Sequence, residues 1–205
     1  MHDSAPIGHL MRLGYPERFR RRLLELADGR FESLDDIERV LNTFDYKVDW
    51  RDDYVVESVA TLIDRRSLMC LDAAILARGL LEGFPATEAG ILAIHRRDGE
   101  GNECGHAAAF YRPHDRYGAF ARSNYPGLQS VAARFEAADA IAHFYAREYL
   151  RIGFTPLMFG TCGLEDAFGA VNWRFARGPL DGVVERILRA YRFRFAIRRR
   201  WSAVS

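Results

Sequence analysis

The sequence predicts an α+β fold in which an antiparallel sheet packs against a central helix, and three patterns predict it. Residues 71–81, Leu-Asp-Ala-Ala-Ile-Leu-Ala-Arg-Gly-Leu-Leu, form an apolar run with helical spacing. Glu88 to Arg96 alternates weakly, as a strand does. Two short apolar runs, 106–111 and 119–124, flank the Pro113 to Gly118 segment, which reads as a β-hairpin with a loop longer than the tightest turns.

The elements around this centre follow from local signals. Pro16 starts a helix that runs through Leu26 and ends at Gly29. Ser33 followed by Asp36 resembles a capping box and opens a helix over Leu34 to Phe44, with Leu34, Ile37, Val40, Leu41 and Phe44 on one face. Tyr46 to Asp53 breaks that period and reads as a loop, and Tyr54 to Ile63 resumes it. Ser67 is the expected cap of the helix that Cys70 opens, and Gly83-Phe84-Pro85 stops it. The turn-rich Arg97 to Asn102 feeds the His106 strand. Val131 to Arg151 reads as helix, with Phe135, Ala138, Ile141, Ala142, Tyr145 and Tyr149 on its apolar face. Gly153 to Pro179 is rich in glycine and yields no assignment, and Val183 to Ser205 reads as a half-buried terminal helix. Without repeats, low-complexity tracts or an evident linker, the expectation is one domain over 1–205, with its core at about 46–128, N-terminal helices at 16–44 and a C-terminal helical extension at 129–205.

Composition narrows the class. A chain of 205 residues with 49% hydrophobic content can bury a full core without staples. No apolar run approaches the ~18 residues that span a bilayer, and Met1 to Pro6 does not read as a secretory leader. Cys70, Cys104 and Cys162 are odd in number and form no Cys-x-x-Cys, which argues against a disulfide framework or zinc ribbon and makes a reducing cytoplasm the expected location.

Net charge is +1 but unevenly divided, with 14 basic and 20 acidic residues in 1–110 against 15 and 8 in 111–205. Seven arginines between Val183 and Ser205 face one acid, Glu185. Such a run could hold nucleic acid or an anionic membrane. Ile187, Leu188, Tyr191, Phe195 and Ile197 interleave it, however, so a solvated arginine face on a half-buried helix is the simpler reading, and nucleic acid is not the expected partner.

The chemistry lies in the order Cys70, His106, Asn124. His106 follows Cys70 by 36 positions and Asn124 follows His106 by 18, enough for one helix, one strand and one hairpin between them. A thiol is mostly protonated at neutral pH, and a helix N-terminus beside an imidazolium lowers its pKa. An amide oxygen near the open end of the hairpin can fix the tautomer of His106. Taken singly, each residue has a plainer role: a cysteine in an apolar helix is a small hydrophobe, and Asn before Tyr-Pro-Gly forms turns.

Cys70-Leu71-Asp72-Ala73-Ala74, Gly101 to Ala107 and Ser123-Asn124-Tyr125-Pro126-Gly127-Leu128 together resemble bacterial transglutaminase-like proteins of the papain-type cysteine enzymes, over about Ser67 to Leu128. The resemblance implies a papain/transglutaminase-like fold with Cys70 as nucleophile, His106 as base and Asn124 as orienter. The chain departs from that family at two points. The third position usually holds aspartate, and no glutamine precedes Cys70 to complete an oxyanion hole, where one donor is worth ~10²–10³ in turnover.

Other groupings carry less. Cys104 and His106 share a strand face, and with His95 or His114 they could bind a metal, but the spacing matches no tight zinc pattern. Cys104, Ser123, Trp50 and Asp53 are candidate pocket residues. The expected function is cysteine-dependent hydrolysis or acyl transfer on an amide, ester or thioester of a small molecule or peptide, with no cofactor and no metal. The alternatives are a catalytically silent binding or scaffold module and a nucleic-acid-associated protein using the basic C-terminus. Oligomeric state is not legible.

Overall fold

The computed structural model describes residues 4–47, 56–169, 172–175, 186, 187 and 189, and the backbone of 193 and 194. Three short helices open the chain: α1 (Ala5–Arg12), α2 (Glu17–Leu26) and α3 (Leu34–Asn42). Of these, α1 has no counterpart in the sequence reading. At α3 the predicted capping box forms, since Asp36 Oδ2 accepts from the Ser33 backbone N–H at 2.8 Å and the Ser33 hydroxyl at 3.1 Å. Gly29 takes φ +81°, a left-handed conformation that a side chain would strain, and so ends α2 cleanly.

Tyr46, expected in a loop, lies instead in β1 (Asp45–Tyr46), which pairs in parallel with β2 (Ser67–Leu68). Between them, among the described residues of the predicted 54–63 stretch, only the single turn α4 (Val59–Leu62) is helical. Ser67 is therefore a strand residue and does not cap the next helix, α5 (Cys70–Leu81). That cap is Met69, whose backbone N–H donates to Asp72 Oδ2 at 3.1 Å. Asp72 is itself buried and paired with Arg65 at 3.5 Å.

Helix α5 is buried at every position but Arg78, which is why its sequence is apolar on all sides. Gly79 allows this closeness, because a Cβ there would stand 2.6 Å from Val59 Cγ1 of α4. The sheet behind α5 has the order β6-β5-β4-β3-β7-β8, every neighbour antiparallel. Its centre is the long pair β3 (Glu88–Arg97) and β4 (Glu103–Arg112), in register from Glu88↔Arg112 to Arg97↔Glu103. Strand β5 (Tyr117–Phe120) completes the predicted hairpin.

The period of two divides the sheet between two cores. Ile91, Ala93, Ala107 and Ala109 face α5, where small alanines let the helix sit close. Leu92, Ile94 and Ala108 face the other way, onto α6 (Ala138–Arg151) through Ile141, Ala142, Tyr145 and Tyr149. The predicted 131–151 helix is thus helical only from Ala138, since β6 (Val131–Phe135) precedes it as an edge strand of alternating exposure. The glycine-rich segment beyond supplies β7 (Thr155–Cys162) and α7 (Leu164–Phe168). The 129–205 region therefore adds strands to the sheet as well as helix. In the predicted terminal helix, Phe193–Arg194 form β8 against β7, and most of that arginine run lies outside the described residues. No helix among the described residues is long and apolar enough to cross a membrane.

Candidate active site

The site forms where β4 outruns its neighbour. The β4–β5 ladder ends at Ala109↔Phe120, and beyond it the chain leaves the sheet as the loop 121–130. The backbone N–H of Ala107 faces this opening and donates to the sulfur of Cys70, the first residue of α5. The thiol also accepts from its helical neighbour Leu71 N–H and from the Tyr46 hydroxyl in β1. Three donors on one sulfur would stabilise a thiolate. Cys70 is only 3% exposed, however, and burial outweighs them and pushes the thiol up, with the nearby Asp72 carboxylate acting in the same direction. The lowered pKa expected at a helix terminus is absent from this resting arrangement because the sulfur is dry.

His106 adjoins Ala107 on β4 but, by the alternation of the strand, projects onto the α6 side. Its ring stands edge-on to Tyr145 and Tyr149, with centroids 5.5 and 6.2 Å away. The imidazole donates to the backbone carbonyl of Leu128, and its Nε2 is buried without a hydrogen-bond partner, so the donor is Nδ1. Burial, then the Arg96 guanidinium, lowers its pKa to about 4 against the smaller opposing effect of that hydrogen bond. At neutral pH His106 is an uncharged base whose Nε2 lone pair faces away from its anchor.

The anchor is itself held. Pro126–Leu128 form a 3₁₀ turn closed by Leu128 N–H to the Tyr125 carbonyl at 2.9 Å. Gln129 donates its side-chain amide to the Ser123 carbonyl, and the Tyr145 hydroxyl donates to the Gln129 carbonyl at 2.8 Å. Ser123 Oγ accepts from Tyr125 N–H at 3.1 Å, which makes the serine a turn residue.

A cavity of about 80 Å³ lies over this loop, lined by Tyr46, Arg96, His106, Ser123, Asn124 and Tyr149 among others. Of the sequence candidates, His106, Asn124 and Ser123 therefore meet at one cavity, and Cys70 reaches it through Tyr46. No hydrogen bond joins the Cys70 sulfur to His106. Asn124 is exposed at the rim and makes no hydrogen bond among the described residues. The carbonyl of Leu128 makes the bond to His106 that the sequence reading assigned to the asparagine amide.

Cys104 pairs with Arg96 across β3–β4 on the same face as His106, half-buried, with its thiol pushed up by burial. His95, by contrast, pairs with Gly105 on the α5 face, so it cannot join Cys104 and His106 around a metal. No group of three metal-ligating side chains exists among the described residues. Trp50 and Asp53 lie outside the described residues.

Three participants escaped the sequence reading. Tyr46 and Tyr149 looked like loop and core aromatics. Arg96 carried a usable signal, a cation two positions after Ile94 on a strand face that is otherwise apolar. Its guanidinium carbon lies 3.7 Å from the Phe154 ring centroid and 4.9 Å from that of Tyr149.

An antiparallel sheet packed on a helix that begins with a cysteine, with a histidine on the adjacent strand, defines an α+β architecture. Legionella pneumophila LapG, in EGTA-treated form, is similar to this chain at 16% identity over 88% of this chain and 97% of that one, with a TM-score of 0.40. Its calcium-bound form gives 16%, 88%, 98% and 0.40. A cysteine-protease candidate from Cytophaga hutchinsonii is similar at 13% identity over 79% of this chain and 54% of that one, with a TM-score of 0.35. No protein-family model and no curated protein matches the chain.

Proposed function

We propose that this protein performs cysteine-dependent acyl chemistry, with Cys70 as nucleophile and His106 as base. The observation that carries the reading is the state of His106: a buried neutral imidazole, held through one nitrogen by the Leu128 carbonyl, with the other nitrogen unpartnered beside a cavity. Leaving a buried polar atom unpaired costs about 1–3 kcal/mol, so such an atom asks for a function.

In this reading substrate binding brings the Cys70 sulfur, which at rest makes no hydrogen bond to His106, within reach of Nε2, and the thiol proton passes there as the sulfur attacks a substrate carbonyl. The C–S bond forms, the carbonyl π pair moves to oxygen, and the leaving amine or alkoxide takes the proton from His106 as its bond to carbon breaks. Water then cleaves the thioester with the same base. The Tyr46 hydroxyl, which donates to the sulfur at rest, supplies the oxyanion donor that no side chain just before Cys70 provides. Asn124, exposed at the rim, contacts the substrate.

The protonated, buried thiol favours one rival, a silent binding module that kept the fold. Incubation with 4-nitrophenyl acetate followed by intact-mass and peptide mapping separates the two. The enzyme reading expects an acetyl group on Cys70 that is lost in Cys70→Ala and forms at least 100-fold more slowly in His106→Ala. Acetylation at Cys104 or Cys162 alone would refute it.

A further inference from the structure

The cavity beside His106 also contains a cation that no anion among the described residues meets. Among the described residues, Arg96 forms no ion pair, and its Nε and Nη1 are buried without hydrogen-bond partners, although it donates to the Tyr149 hydroxyl. A guanidinium stays charged at every physiological pH and offers five N–H donors, so the three on Nε and Nη1 left idle inside a protein are expensive. The surroundings hold the group in place: it lies over the Phe154 ring at 3.7 Å and near the Tyr149 ring, and β3 fixes its origin between β4 and β7. An aromatic platform of this kind orients the plane of the guanidinium.

The lining shows what this cation awaits. Among the described residues no aspartate or glutamate lines the cavity, and none of them competes for Arg96. Its other polar walls are neutral: the Ser123 and Asn124 region, the Tyr46 hydroxyl and the edge of His106. One cation among neutral donors matches a monoanion rather than a phosphate dianion, and about 80 Å³ admits a carboxylate with one or two further heavy atoms. Charge-assisted N–H to carboxylate bonds are roughly twice as strong as neutral ones.

We propose that Arg96 is a carboxylate-recognition residue, and that the substrate class of this site is an acyl compound bearing a free carboxylate a few bonds from the scissile carbonyl. The proposal deepens the acyl-chemistry reading and rests on it for the word substrate, while carboxylate binding itself is independent of turnover. Arg96 here specifies the substrate and takes no part in bond making. The carboxylate can belong to a chain terminus or to an acidic side chain.

The test is binding to the full-length wild-type protein, followed by the His106 ring resonances in NMR. N-acetylglycine, with a terminal carboxylate, is compared with N-acetylglycinamide, its neutral match, and with N-acetylaspartate α-amide, which carries the charge on a side chain. At least one carboxylate is expected to bind tenfold or more tightly than the neutral amide, and the better of the two names the source. In Arg96→Met that preference falls below threefold, and Arg96→Lys keeps part of it. Equal or absent binding of all three ligands by the wild type overturns the proposal, as does a preference that survives in a folded Arg96→Met protein. Absent acetylation of Cys70 beside a retained carboxylate preference removes the acyl-chemistry reading and leaves the carboxylate site.

Discussion

Acidification should unfold this protein earlier than its carboxylates alone would dictate, and His106 is the reason. In an unfolded chain its imidazole titrates near 6.5, whereas burial and the Arg96 guanidinium lower the folded value to about 4. Between those two values the unfolded chain binds the proton and the folded one does not, so stability is complete above about pH 6.5 and drains away as the pH falls toward 4. A separation of about 2.5 pH units corresponds to about 3 kcal/mol at its limit, and about 2 kcal/mol of it is gone by pH 5. That is a large part of the 5–15 kcal/mol typical of a domain.

Carboxylates blur the picture little at pH 5. Asp36, held low by the Glu32 and Ser33 N–H groups against the cost of its burial, and Asp98, held low by Asn102, lose their contributions only below the ordinary carboxylate range. Urea unfolding at pH 7.5 and pH 5, in wild type and in His106→Gln, isolates the effect. Glutamine cannot titrate but can still donate to the Leu128 carbonyl. The wild type should lose about 2 kcal/mol more than the variant between the two pH values. Equal losses would mean that His106 is solvated or charged in the folded state, and the buried neutral base would have to be abandoned.

The other expectations concern the groups around it. Tyr46→Phe removes a donor to the Cys70 sulfur, and a hydrogen bond to a charged group is worth about 1.5–3 kcal/mol, so iodoacetamide modification of Cys70 at pH 8.5 should slow roughly tenfold or more, read by peptide mass spectrometry; an unchanged rate would remove Tyr46 from the site. Because the Leu128 carbonyl holds the imidazole, Gln129→Ala, which frees the loop carrying that carbonyl, should reduce 4-nitrophenyl acetate turnover more than Asn124→Ala does, and the opposite order would return the orienting role to Asn124. Gly79→Ala drives a Cβ to 2.6 Å from Val59 Cγ1 and should destabilise by about 1–3 kcal/mol in urea unfolding, whereas a neutral result would show that α4 can withdraw from α5.

What the sequence revealed depended on whether a feature was written in side chains or in backbone. The apolar run after Cys70 shows itself because α5 is buried on nearly every face, and the Ser33 to Asp36 box shows itself because a cap is a side-chain device. Val131 to Phe135 misled because an edge strand alternates in exposure and abuts a true helix, so its apolar residues merge with the helical period. Ser67 misled for a related reason. It is a good cap by type, but pairing with Asp45 draws it into β2, and Asp72 closes the helix from inside the first turn.

The same distinction explains the site. Its residues were legible where chemistry demands a particular side chain, as for a thiol and an imidazole, and illegible where any residue could serve. A carbonyl that steers an imidazole can come from any residue, so Leu128 leaves no trace in the sequence, whereas an amide side chain four positions earlier draws the eye. Arg96 is the intermediate case. Its charge is visible, but its meaning depends on the register Arg96↔Cys104 and Ile94↔His106, which turns it toward His106. Shifting β3 by one residue against β4 would send Arg96 to the α5 face while His106 kept its own, and the two would part. The pairing of β3 with β4, set largely by the apolar residues on their two faces, is therefore what brings a cation and a base to one cavity.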